Sequence, residues 1–119
     1  AWTPQNSKTT EYLKAVWGSD VNNVWAVGSS GTVVKWNGTD WAVQTAGTVA
    51  SLSGVWGTDA NNVWVVGSNG TVLKWNGSDW AERVSSANVH LAAVRGTDAN
   101  HLWVVGAAGT ILHYQPLFR

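Results

Sequence analysis

Apolar and polar residues alternate in short runs along this chain, and clusters of Gly, Asn, Asp and Ser separate the runs. In the middle of the chain this pattern predicts strands at 52–56, 63–67, 71–75 and 80–84, each a period-two run bounded by turn residues. No stretch has the period of an amphipathic helix. The reversal between the second and third strands falls at Gly67-Ser68-Asn69-Gly70, and the next at Asn76-Gly77. Asn-Gly pairs supply the positive φ angles that two-residue hairpin turns require, so both reversals have a mechanism.

The same four-strand pattern recurs every 39 residues. Val16-Trp17-Gly18, Val55-Trp56-Gly57 and Val94-Arg95-Gly96 correspond, as do Trp25, Trp64 and Trp103. Over the 27 positions 16–42, the second unit is identical at 21, while the third matches the second at 13 of 26. Four antiparallel strands at this spacing are the pattern of a β-propeller blade, for which about 40 to 50 residues is usual. The expected fold is therefore all-β, a β-propeller with three four-stranded blades per chain. The blades are placed at 13–51, 52–90 and 91–119.

Ala1-Trp2-Thr3 aligns with Asp40-Trp41-Ala42, so residues 1–12 are expected to act as an outer strand donated to the last blade. Blade 91–119 reaches Phe118-Arg119 where its own outer strand should begin, and is expected to lack it. Three blades are fewer than the 4 to 8 of typical rings. The ring is expected to close by homo-oligomerisation, with six blades as a dimer or nine as a trimer.

Composition narrows the function classes. Seven basic and seven acidic residues balance, which leaves no electrostatic footprint for nucleic acid or an anionic membrane. No apolar run reaches the roughly 18 residues of a membrane helix, and no secretory signal pattern stands at the N-terminus. Absent Cys excludes disulfides, and absent Met fits a processed or excised chain; neither fixes a compartment, although a secreted protein would look the same. No nucleophile elbow, Cys nucleophile or phosphate-binding loop is present, so no enzyme and no cofactor is expected.

Among the repeated residues, Trp25, Trp64 and Trp103 are expected to pack between blades. Trp36 and Trp75 flank the Asn-Gly turns with Trp41 and Trp80, either clamping that hairpin or forming an aromatic shelf. Trp17 and Trp56 become Arg95 in the third unit, which points to a half-wet position, since guanidinium suits a fully enclosed site poorly. Trp and Arg both stack on flat surfaces, a sugar face included. Trp17, Trp56 and Arg95 are thus candidate stacking residues, with Asn22, Asn61 and Asn100 as hydrogen-bonding partners. Asp20, Asp59 and Asp98 precede Asn-containing turns that Asx chemistry explains without calcium. His90 and His101 are placed in loops and His113 on a strand, with no zinc-ligand spacing, so no metal is expected.

The strings Val24-Trp25-Ala26-Val27-Gly28 and Val63-Trp64-Val65-Val66-Gly67, each followed by Gly-Thr, Trp-Asn-Gly and a further Trp, resemble bacterial β-propeller blade repeats. They are more loosely similar to tectonin-type propeller lectins. The latter resemblance implies a multivalent carbohydrate-binding lectin, to which the neutral Trp- and Asn-rich loops also point. The alternative is a structural or engineered part-propeller scaffold without a ligand, or a protein-interaction platform. Expected partners are therefore the chain itself and glycans, with no nucleic acid and no membrane.

Overall fold

The computed structural model describes residues 1–115, and everything below concerns these. Eleven strands form three antiparallel sheets in which neighbours in sequence are neighbours in space. The first sheet runs β1 (Leu13–Asp20), β2 (Asn23–Gly28), β3 (Val33–Trp36) and β4 (Trp41–Gln44). The second runs β5 (Leu52–Asp59), β6 (Asn62–Gly67), β7 (Val72–Trp75) and β8 (Trp80–Arg83). The third has β9 (Leu91–Asp98), β10 (His101–Gly106) and β11 (Ile111–Tyr114) among the described residues.

The first strand of each sheet is longer than the apolar pattern predicts. β5 continues past Trp56 to Asp59, because the register shifts between Gly57 and Asp59 and pairing with Asn62 resumes beyond the irregularity. A bulge of this kind adds twist without ending the strand. His101 is likewise the first residue of β10, not a loop residue, and pairs with Asp98.

Turn chemistry follows the sequence at Asn69-Gly70 but not at Asn76-Gly77. At the latter the glycine alone is left-handed (φ 103°), and Asn76 Oδ1 instead accepts the Ser78 and Asp79 N–H groups. Asn69 and Gly70 have φ of 56° and 71°, the left-handed pair that the Asn-Gly step favours. A Cβ on Gly70 would sit 1.9 Å from the carbonyl oxygen of Ala87, so this turn lies hard against the segment leading out of its own sheet. The Gly70 N–H donates to the Val89 carbonyl at 2.8 Å, fixing that approach.

Successive side chains of a strand point to opposite faces, so each sheet offers one face to the sheet before it and the other to the sheet after it. Trp25, Val27 and Val33 of the first sheet meet Leu52, Val55, Val63, Val65 and Leu73 of the second in one buried cluster. Trp64 and Val66 of the second meet Leu91, Val94, Leu102 and Val104 of the third in another. Full burial of one such aliphatic side chain contributes about 1.5–3 kcal/mol. The core therefore consists of two copies of a single sheet-on-sheet seam.

Residues 1–12 form no strand within the chain. They run instead beside the first sheet, where the Trp41 indole N–H donates to Gln5 Oε1 at 2.8 Å and the Ser29 N–H to the Tyr12 carbonyl at 2.9 Å. Residues 116–119, where the outer strand that the third blade is expected to lack would begin, lie outside the described residues.

Candidate functional site

Across the seam-forming face of each sheet runs a ladder of one residue per strand. Trp17 pairs with Trp25, and Trp25 with Lys35. Trp56, Trp64 and Lys74 repeat this in the second sheet, and Arg95, Trp103 and His113 in the third. The two indoles stack with centroids 5.8 Å apart in the first sheet and 6.0 Å in the second. Each lysine ammonium lies 4.9 Å from the centroid of the middle indole, a cation–π contact.

A polar network anchors that ammonium. Lys74 Nζ donates to Asn62 Oδ1 at 3.0 Å and to the Trp75 carbonyl at 2.8 Å. Asn62 Nδ2 in turn donates to both oxygens of Asp59, which also accepts the Asn61 N–H at 2.8 Å. Asp20, Asn22, Asn23 and Lys35 form the same arrangement. Backbone N–H donation from Asn22 and Asn61, then the amides of Asn23 and Asn62, hold the Asp20 and Asp59 carboxyls below the usual range. Burial lowers Lys35 and Lys74, because desolvation disfavours the charged form.

The third sheet replaces both partners together. His101 stands where the amide was and His113 where the ammonium was, with ring centroids 5.7 Å apart. These histidines are a matched exchange, which taking them one at a time conceals. The clue available in sequence was that both departures from the repeat fall in one unit, twelve positions apart.

Two of the three predicted stacking residues, Trp17 and Trp56, lie in the seams. The Trp17 ring lies over the next sheet, where a Cβ on Gly57 would stand 2.9 Å from it, and Trp56 has the same relation to Gly96 at 2.7 Å. Arg95 occupies the corresponding place on the third sheet and is exposed. Asn22 and Asn61 sit at the turn ends, their side chains against Gly38 and Gly77, while Asn100 is exposed and donates its N–H to Asp98. Two shallow grooves among the described residues, one against β1 and one beside the turn at 30–32, are lined by none of the six. Trp36 with Trp41 and Trp75 with Trp80 form tilted pairs at 5.7 and 5.3 Å across the β3–β4 and β7–β8 hairpins, and so clamp them.

Equivalent positions differ sharply in exposure between sheets. Val16, Val55 and Val94 correspond, yet Val16 is 67% exposed and the others 7% and 3%. On the opposite face Trp25 and Trp64 are 0% and 7% exposed, whereas Trp103 is 46%. Val105 and Ile111 are open as well, at 44% and 66%, where Val27 and Val33 are fully buried. Two unmatched half-seams therefore stand at opposite ends of the molecule.

Searches for related proteins place this geometry. No family profile matches the chain, and neither does any curated protein. Among solved structures, the chain is similar to YCF48 bound to D1 peptide, with a TM-score of 0.77 and 17% identity over 90% of this chain and 38% of that one. It is similar also to YCF48 from Cyanidioschyzon merolae, with a TM-score of 0.75 and 17% identity over 97% of this chain and 41% of that one. The fold is a β-propeller. The three sheets are its blades, and the chain spans well under half the length of the solved proteins it resembles.

Proposed function

We propose that this chain is a non-enzymatic propeller module that binds protein, using the open face and open edge of its third blade. The observation that carries this reading is the exposure of Trp103, Val105 and Ile111 at positions buried in the other two blades. An apolar face that is matched internally twice and left open once is a binding surface in waiting. Beside it, the outer edge of β11 has no partner strand among the described residues, whereas β3 and β7 are each covered by a fourth strand. Such an edge takes an extended peptide by strand addition.

Two further features support the reading. A propeller of similar fold has been solved with a peptide bound. The turn carboxylates Asp20, Asp59 and Asp98 are occupied in accepting N–H groups of their own loops, which suits a structural role better than acid–base work.

Carbohydrate binding ranks second. It draws on the half-buried Trp17 and Trp56 and the exposed Arg95, but its six candidate residues are divided between a seam and the turn ends.

The test is to pan a random linear peptide library against the chain immobilised at low density, beside a glycan array. The expected result is enrichment of peptides rich in aliphatic and aromatic residues, lost on Trp103→Ser. An empty peptide selection, with a glycan ligand lost on Trp17→Ala and Trp56→Ala, would replace this reading with the lectin one.

A further inference from the structure

The open face of the third blade has its complement elsewhere on the same chain. The first blade presents Leu13 and Val16 outward, the counterparts of Leu52 and Val55, which lie buried against the preceding blade. Gly57 and Gly96 each lie beneath the indole of the blade before, but Gly18, their equivalent, has no such ring above it. On the far side, Arg95 occupies the ring position and has no glycine beneath it.

The N-terminal segment fits the same scheme. Residues 5–12 are laid out as an inter-blade linker: Trp41 donates to Gln5 as Trp80 donates to Gln44 at 3.1 Å. Tyr12 accepts the Ser29 N–H as Ser51 accepts that of Ser68 and His90 that of Ala107. Residues before such a linker belong, in this architecture, to the outer strand of a preceding blade. Trp2 corresponds to Trp41 and Trp80, which pair directly with Trp36 and Trp75, but it is fully exposed. Tyr114 corresponds to Trp36 and Trp75, is 52% exposed, and pairs with Leu102 on its inner side but with no residue on its outer side among the described strands.

We infer that a second copy of this chain docks head to tail on the first, its Val16 face closing over Trp103, Val105 and Ile111 and its Trp2 segment pairing with β11 opposite Tyr114. The inference rests on the protein-binding reading above and names the partner. It continues an interface that the chain already forms twice, residue position by residue position. With zero formal net charge, two copies meet without long-range repulsion. Because the contact is heterologous it must close or propagate, and two copies supply six blades, within the usual range for a closed ring. Arg95 then extends over Gly18 of the second copy.

Sedimentation of the chain and two variants tests this. Val16→Asp blocks one face and Ile111→Asp the other, and both residues are exposed enough in the single chain for the fold to tolerate the change. The wild type is expected to sediment as two copies, each variant alone as one, and an equimolar mixture of the variants again as two, through the one intact seam. Hydroxyl-radical labelling of Trp2 is expected to fall several-fold in the paired species. A one-copy wild type, variants that stay paired, a three-copy species or unchanged labelling of Trp2 would overturn the proposal. A one-copy chain that still selects peptides through Trp103 would leave the protein-binding reading standing, whereas a one-copy chain that binds only glycans would remove both.

Discussion

His113 lies flat on Trp103, with ring centroids 3.9 Å apart and planes 9° from parallel, where the first two blades suspend a lysine ammonium above the indole. A protonated amine needs oxygen acceptors, which Asn62 and the Trp75 carbonyl supply to Lys74. An imidazole can stack instead and takes a second ring, His101, as its neighbour. The position can therefore be filled in two ways, and each way specifies its partner on the adjacent strand.

A double-mutant cycle in the second blade tests that coupling. Lys74→His alone removes the donor from Asn62 Oδ1, and is expected to lower stability by about 1–2 kcal/mol. Adding Asn62→His is expected to recover part of the loss, with a coupling of about 1 kcal/mol read from denaturant midpoints. Additive losses would show the two exchanges to be independent.

The inter-blade glycines give a second prediction. In Gly57→Ala the new methyl meets the Asn62 carbonyl oxygen at 2.5 Å and the Trp17 ring at 2.9 Å, so either the turn or the indole must move. Overpacking of this kind costs about 1–3 kcal/mol, to be measured by urea unfolding. An unchanged midpoint would mean that the seam is looser than these distances state.

Leu73 is almost wholly buried in the cluster joining the first two blades. Leu73→Ala is expected to cost about 2–5 kcal/mol, from lost burial plus the cavity left behind. Thermal unfolding provides the measurement, and a loss below about 1 kcal/mol would place Leu73 outside the core.

Asp20 and Asp59 set the acid limit of the turns. Their folded carboxyls are held below the ordinary value of 3.8, first by backbone N–H donation, so the folded state favours the charged form. The stability they contribute is present above that value and disappears as pH falls through the depressed folded value. An Asp20→Asn, Asp59→Asn double variant is thus expected to melt below the wild type at neutral pH and to converge with it in strong acid. A gap that stays constant across the titration would contradict the assignment.

Much of this architecture is legible in the chain because local chemistry decides it. Asn69-Gly70 can adopt the left-handed pair at little cost, and the alternating Val and Trp residues from Val63 to Val66 assign one set to each face. The role of Trp17 was harder to read. Its exchange for Arg95 pointed to a half-wet position, but only the neighbouring blade shows that the ring rests on Gly57, a contact 40 residues away in sequence. His101 and His113 were missed for a similar reason, since strand pairing, not proximity in sequence, brings them together. The six candidate sugar-contact residues fall as one pair per blade, a stacking residue on the seam-forming face and an Asn at the turn end.

If the two end faces are halves of one seam, the molar mass in solution must show it. Light scattering over a range of protein concentrations is expected to give about twice 12.7 kDa, with Trp103 and Val16 buried together in the paired species. A stable, soluble species of 12.7 kDa at every concentration would contradict it.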